Sequence, residues 1–185
     1  MESEFSNTDI AASLNADNPQ QFRAVVEHFQ HAVFGFLGRM GFTQADAEDI
    51  AQEVFLKAWR YRASYNPARA QVSTWLFTIA RNTAITKLQQ TGNAHVCIED
   101  VEVSANTDSQ PEQQLLQHQQ QQTLFRSIHQ LSVDDRSAIA LFYINDLTTA
   151  QAADVLECSV GTFKTRLSRA RNKLKVIFDE LDKSQ

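Results

Sequence analysis

The chain has 185 residues, a formal net charge of −5 at pH 7 and 43% hydrophobic residues, which bounds it to one domain or two small ones with an ordinary core. With only three prolines, five glycines and two cysteines, loop-rich and disulfide-stapled folds are excluded, and the scarcity of period-two alternation points to an all-α protein. The mild acidity rules out indiscriminate coating of nucleic acid, so any contact with a polyanion must come from local patches. No apolar run approaches membrane-spanning length, and Met1-Glu2-Ser3-Glu4 is too acidic for a signal peptide. A cytoplasmic protein without membrane insertion is expected.

Residues 1–18 read as a polar arm. Phe22, Val25, Val26, Phe29, Val33, Phe36, Leu37 and Met40 then recur every three or four positions, and Gly41 closes that amphipathic helix. Thr43 opens a second helix with Ala47, Ile50, Ala51, Val54, Phe55, Ala58 and Trp59 on its inner face. Tyr65-Asn66-Pro67-Ala68 is a break. Ser73 or Thr74 caps a third helix running through Trp75, Leu76, Ile79, Ala80, Ala84 and Leu88. Residues 19–90 therefore form a first domain. Residues 91–110, polar and acidic without periodicity, read as a flexible linker. Pro111 starts a Gln-rich helix, Ser132 caps the next, and residues 111–185 form a second domain of four helices.

The end of the second domain carries the clearest pattern. Thr148-Thr149-Ala150-Gln151 has the form of a capping box opening a short helix to Glu157. Cys158-Ser159-Val160-Gly161 is a tight break. From Ser159 to Phe178 there are six basic residues and no acid. Phe163, Leu167, Ala170, Leu174 and Ile177 lie on one arc at about 100° per residue, with Lys164, Thr165, Ser168, Arg169 and Asn172 on the opposite arc. Helix, turn and basic helix make a helix-turn-helix whose second helix suits a major groove: phosphates attract cations, and base edges accept short polar side chains. A merely solvated basic helix would not need such segregated faces.

The first domain partitions its charge. Asp46, Glu48, Asp49 and Glu53 cluster without a base among them, whereas Val54–Ile98 has no acid. That acid-free stretch interleaves Lys57, Arg60, Arg62, Arg69, Arg81 and Lys87 with six aromatics. Cations among rings suit single-stranded nucleic acid, where a stacked base contributes about 1–3 kcal/mol. Phe55, Trp59, Trp75 and Phe77 fall on inner faces and are expected in the core. Tyr61, Tyr65 and Asn66, near the break, are the better base contacts. The acidic cluster reads equally as a helix N-terminus favoured by the macrodipole or as a docking face for a basic partner.

Asp46–Arg60 resembles region 2 of bacterial extracytoplasmic-function (ECF, group IV) sigma factors of the sigma-70 family. Ser73–Asn82 resembles the promoter-melting part of that region, and Ser159–Arg171 the region 4 recognition helix. The three motifs stand in the family's order, and the resemblance covers residues 20–182. It implies a non-enzymatic transcription factor that gives core RNA polymerase its promoter choice, without cofactor or metal. Asp46, Asp49, Gln52 and Glu53 would dock on the coiled-coil of the polymerase clamp, and the second domain on the flap. Tyr61, Tyr65, Asn66, Arg81 and Asn82 would capture the non-template strand of the −10 element. Lys164, Thr165, Ser168, Arg169 and Arg171 would read the −35 element in promoter DNA. The linker would thread toward the active-site cleft. An anti-sigma factor is an expected further partner, and Asn66–Val72 resembles a subgroup tied to oxidative stress. The chain departs from the family at Phe142, where Arg is frequent, and at Asp146–Gln151.

Two other functions compete. A stand-alone helix-turn-helix regulator explains the second domain but leaves the acidic cluster and the cation–aromatic stretch without a role, and no dimer seam is evident. A metal or thiol site from His95, Cys97, His118 and Cys158 lacks a C-x-x-C pair. No phosphate-binding loop or catalytic constellation is present.

Overall fold

The computed structural model describes residues 7–15, 18–90 and 111–183, and the regular structure among them is helical. The first half holds α1 (Asn7–Asn15), α2 (Pro19–Met40), α3 (Gln44–Tyr61), a 3-10 turn (Arg62–Ser64) and α4 (Val72–Gln90). The second holds α5 (Pro111–His129), α6 (Val133–Tyr143), α7 (Thr149–Val155) and α8 (Val160–Asp182). The segment expected to be the linker, residues 91–110, lies outside the described residues.

Local chemistry fixes most of these boundaries. Asn18 caps α2 by accepting from the Gln20 amide at 2.9 Å, with Pro19 at the first helical position, where no N–H is needed. Gly41 ends α2 at φ 104°, a left-handed conformation that an L side chain resists. Thr43, Ser132, Thr148 and Ser159 cap α3, α6, α7 and α8, each accepting from the backbone three residues on. At Thr148 the box is complete: Gln151 Oε1 accepts from the Thr148 amide at 2.8 Å.

Three expectations from sequence are corrected. Residues 7–15 are no polar arm: they form α1, which buries Ile10 and Leu14 against the first half. Two apolar residues at i and i+4 are too few to show periodicity, yet they hold a helix once a partner surface exists. Helix α4 begins at Val72, so Ser73 and Thr74 lie inside it rather than capping it. Gly161 is likewise helical. The left-handed position between α7 and α8 belongs to Glu157 at φ 52°, followed by a Cys158 amide bond to the Ala153 carbonyl at 3.0 Å.

Phe36 and Phe77 meet edge to face at 5.5 Å in the centre of the first half, and both are buried. Phe163, Leu167 and Ala170 turn the inner side of α8 into the second half. The buried residues of the two halves form one continuous cluster. Across the seam, Ser137 Oγ lies 3.2 Å from the Met40 sulfur, and Asn145 Nδ2 donates to the Ala32 carbonyl at 3.2 Å. Gln151 Nε2 donates to Gln71 Oε1 at 2.6 Å. A Cβ on Gly41 would stand 2.9 Å from Arg136 Nη1, the movable end of a side chain, so the left-handed backbone is what calls for glycine there.

Candidate functional site

Helix α8 sorts its cations by face. Arg166, partly buried, and Lys173, exposed, pair with the first-turn acids of α6, Asp134 and Asp135, at 3.2 and 2.9 Å. Lys164, Thr165, Ser168, Arg169 and Arg171 are exposed. Among the described residues Lys164 and Arg169 carry no ion pair, Thr165 Oγ1 donates to the Gly161 carbonyl at 3.0 Å, and Arg171 Nη1 reaches the Tyr143 hydroxyl at 3.4 Å. The predicted reading face is thus a preformed surface on a capped, core-anchored helix. Nothing in the second half has to move for a phosphate or base edge to meet it.

The acidic cluster of α3 divides. Asp46 takes part in its own helix cap: Thr43 Oγ1 donates to Asp46 Oδ2 at 2.7 Å and accepts from the Asp46 amide at 3.1 Å. Glu53 bonds Lys57 Nζ at 2.8 Å and Lys87 Nζ of α4 at 3.2 Å. The Lys57 hydrogen bond, the largest cause, holds its carboxyl below the usual carboxylate range; burial opposes it, and the Lys87 hydrogen bond adds to the lowering. Asp49 and Gln52 remain exposed on the outer face of the helix. Beside them stands Leu56, 66% exposed, which no sequence motif singles out. The one available signal is an apolar residue outside the inner stripe, one turn after Gln52. Between α2 and α3 a groove of about 480 Å³ is lined by Val26, His31, Phe34, Glu48, Gln52 and Phe55 among others, so Gln52 stands at the edge of an apolar depression.

The five residues assigned to melted DNA also divide. Tyr61 and Asn82 are exposed. Asn66 is exposed; its side-chain oxygen accepts from the Ala68 amide at 2.9 Å, which orients the amide and leaves its NH₂ and one oxygen lone pair for a ligand. Tyr65 is buried: its ring packs 5.5 Å from Trp75, its hydroxyl donates to the Ala70 carbonyl at 3.0 Å, and burial pushes its pKa up. Its ring is thus withdrawn from the surface on which a base contact was expected. The break before α4 is folded by its own side chains, and the aromatic ring is the part that water rejects. Arg81 is drawn off the surface, with Nη2 2.9 Å from Asp134 Oδ1 of the second half. Phe55 and Phe77 lie in the core, and Trp59 and Trp75 pack against it. Arg62 stacks over the Trp59 ring at 3.7 Å.

Of the residues weighed for a metal or thiol site, His95 and Cys97 lie outside the described residues, and Cys158 is half-buried in the turn before α8. No helix among the described residues is long and apolar enough to cross a membrane.

Known proteins match both halves in the order in which they occur. Residues 25–93 fit the family model described as Sigma-70 region 2, and residues 121–174 fit that of Sigma-70, region 4. The ECF RNA polymerase sigma factor RpoE of Cereibacter sphaeroides is 33% identical over 156 residues, 83% of this chain and 84% of that one. This chain is an ECF sigma factor. The RNA polymerase sigma-H factor of Pseudomonas aeruginosa is 32% identical over 83% of each chain. Among solved structures, the sigma factor RpoE in complex with the anti-sigma factor NepR from Bartonella quintana matches with a TM-score of 0.69 at 27% identity, covering 86% of this chain and 98% of that one. CnrH in complex with the cytosolic domain of CnrY shares the fold at a TM-score of 0.69 and 23% identity, over 92% of this chain and 96% of that one. The sigma factor is therefore a transcription-initiation protein, and the stand-alone regulator falls away, because the first half belongs to the same family as the second.

Proposed function

We propose that residues 19–90, together with α1, dock the sigma factor on core polymerase and open the −10 element, and that residues 111–185 read the −35 element. The single observation that carries this assignment is the exposed set Lys164, Thr165, Ser168, Arg169 and Arg171 on a helix capped by Ser159. Its cations would meet phosphate, and its short polar side chains would meet base edges. Asp49 and Gln52, with Leu56 as an apolar anchor, supply the docking face for a basic coiled-coil of the clamp. Asp46 and Glu53 support that face from their cap and their lysine pairs. Tyr61, Asn66 and Asn82 meet the displaced strand first, and Arg81 and Tyr65 join only after rearrangement.

The protein works in the cytoplasm, where its polymerase is, and carries out no chemistry of its own. An anti-sigma factor is its regulator: the structural relatives named above are complexes with such proteins or with a cytosolic domain. A stress-responsive regulon fits that mode of control.

The experiment is a pull-down with sigma-free core polymerase followed by run-off transcription from a genomic promoter library. Stoichiometric binding and new discrete start sites are expected. Binding without new start sites would remove the promoter assignment, and absence of binding by the folded, inhibitor-free protein would remove the docking assignment.

A further inference from the structure

We propose that Tyr143, the last residue of α6, is a further DNA contact: its hydroxyl and the Arg171 guanidinium together hold one backbone phosphate beside the −35 element. The inference rests on the assignment of α8 to the −35 element and adds to it a residue from a different helix. The ring is exposed but seated. Tyr143 keeps 49% of its exposure. It meets Phe142 edge to face at 5.0 Å, and Phe142 in turn lies 6.4 Å from the fully buried Phe163 of α8. That row of rings sets the phenol against α8, and its hydroxyl ends 3.4 Å from Arg171 Nη1.

The bonding of this pair is incomplete. A guanidinium can only donate, so the phenol oxygen accepts from Arg171 and its own O–H proton is left to donate. Among the described residues neither that proton nor Arg171 meets a carboxylate. The two acids of α6 are engaged elsewhere, Asp134 with Arg81 and Arg166 and Asp135 with Lys173. Two donors therefore stand side by side without an acceptor, and a phosphate oxygen completes that arrangement. The bond from Arg171 also polarises the phenol and makes it the better donor.

Placement selects the DNA backbone rather than a base. Arg171 follows Lys164 by two turns of α8, which puts it about 10.5 Å further along the helix and within about 20° on the same face. The major groove is about 12 Å wide. With Lys164 near one wall of the groove, Arg171 stands near the other, where the phosphates are. Tyr143 comes from α6, outside the helix that enters the groove, so the strand at the groove edge is the part of the duplex within its reach. A phenol differs from the cations of this face in carrying no charge. A cation that meets a phosphate releases counterions and steepens the salt dependence of binding, whereas a neutral donor adds affinity and leaves that slope alone. The Tyr143 hydroxyl therefore adds affinity for every −35 sequence equally.

The test uses the full chain assembled with core polymerase, and duplexes carrying a promoter recovered in the run-off experiment. Tyr143→Phe removes the hydroxyl alone. It should leave core affinity unchanged and weaken promoter binding about three- to tenfold, with discrimination among −35 sequences and the salt slope both retained. Arg171→Ala should also weaken binding, and should lower the salt slope by about one. Duplexes with a methylphosphonate in place of one phosphate at a time across the −35 element then locate the contact. At one position wild type and Tyr143→Phe should bind equally, because that phosphate has lost its charge and one oxygen; at the others the difference should persist. Wild-type promoter binding by Tyr143→Phe, a loss that persists on every methylphosphonate duplex, or a loss that varies with the −35 sequence would each overturn the phosphate contact. A drop in core affinity would place Tyr143 in the polymerase interface and overturn it as well. Arg169→Ala separates this failure from that of the assignment beneath it. Unchanged promoter binding in Arg169→Ala, Arg171→Ala and Tyr143→Phe alike would remove α8 from the −35 element, whereas losses confined to the two arginine variants would remove Tyr143 alone.

Discussion

In α8, the residues assigned to duplex DNA all face water, and Phe163, Leu167 and Ala170 hold the helix from behind. Around α4, the residues assigned to melted DNA are split between solvent (Tyr61, Asn66, Asn82), the core (Tyr65) and the other half of the molecule (Arg81). Duplex is recognised by a rigid surface matched to a groove that already exists, so that surface can be finished in advance. A displaced strand offers bare bases only after the duplex has opened, and aromatic groups waiting for it would otherwise stand in water. Under the proposed assignment, the burial of Tyr65 and the pairing of Arg81 would follow from the physical state of what that helix meets, while Tyr61 stays exposed.

The comparison can be broken most completely at the polymerase. Asp49→Arg places a cation on the exposed face proposed for docking and should cost on the order of 100-fold in core affinity. Neither promoter element is then engaged, while the circular dichroism spectrum stays unchanged. Normal core binding by this variant would move the docking surface elsewhere. The next effect separates readout from attraction within α8. Arg169→Ala should lose about 1–3 kcal/mol on its preferred promoter and relax discrimination at one position if it contacts a base. Lys164→Ala should weaken all sequences alike and reduce the salt slope by about one. Equal weakening by both variants would reduce α8 to phosphate contact.

Around α4 a smaller change is informative. Tyr65→Phe deletes the bond to the Ala70 carbonyl and should cost about 0.5–1.5 kcal/mol of stability. Promoter opening by this variant should be retained if the ring never leaves the core, and reduced if the hydroxyl serves DNA in the open form.

The seam predicts a pH effect. Burial first, and the Arg136 charge second, lower the pKa of His129 to about 4, from about 6.5 in an unfolded chain. The unfolded chain therefore binds the proton more readily. The stability linked to neutral His129 is complete above about pH 6.5 and is lost as the pH falls from there toward 4. Tm should be lower at pH 5 than at pH 7.5, and His129→Gln should flatten that dependence; an unaltered slope would assign it to other groups. The smallest expected change is at Glu157, whose left-handed backbone favours glycine. Glu157→Gly should leave promoter choice intact and stabilise the second half by about 0.5–1 kcal/mol, read as a rise in Tm.

The legibility of the chain follows the range of the forces involved. Helices α2, α3, α6, α7 and α8 are readable because their signals are local: a capping Asn, Thr or Ser, and apolar residues every three or four positions. The outward face of α8 is readable for the same reason. Helix α1 is not, since Ile10 and Leu14 form no stripe by themselves. Glu157 in place of glycine is equally hidden, because the backbone there is imposed by the packing of α7 against α8. Asp46 and Glu53 look alike as acids in one cluster; Thr43 takes the first into its helix cap, and Lys57 of α3 and Lys87 of α4 pair with the second.

By itself, then, the sequence determined that the chain is all-helical, that it ends in a helix-turn-helix with a polar reading face, and that acids and cation–aromatic segments are partitioned in its first half. Each of these follows from residues within a turn or two of one another. The tertiary structure alone decided that Tyr65 is buried, that Glu53 is shared between two lysines, and that Arg81 reaches 53 residues along the chain to Asp134. Those outcomes depend on which surfaces meet, and no local rule of spacing or charge specifies the partner of a residue that lies far away in sequence.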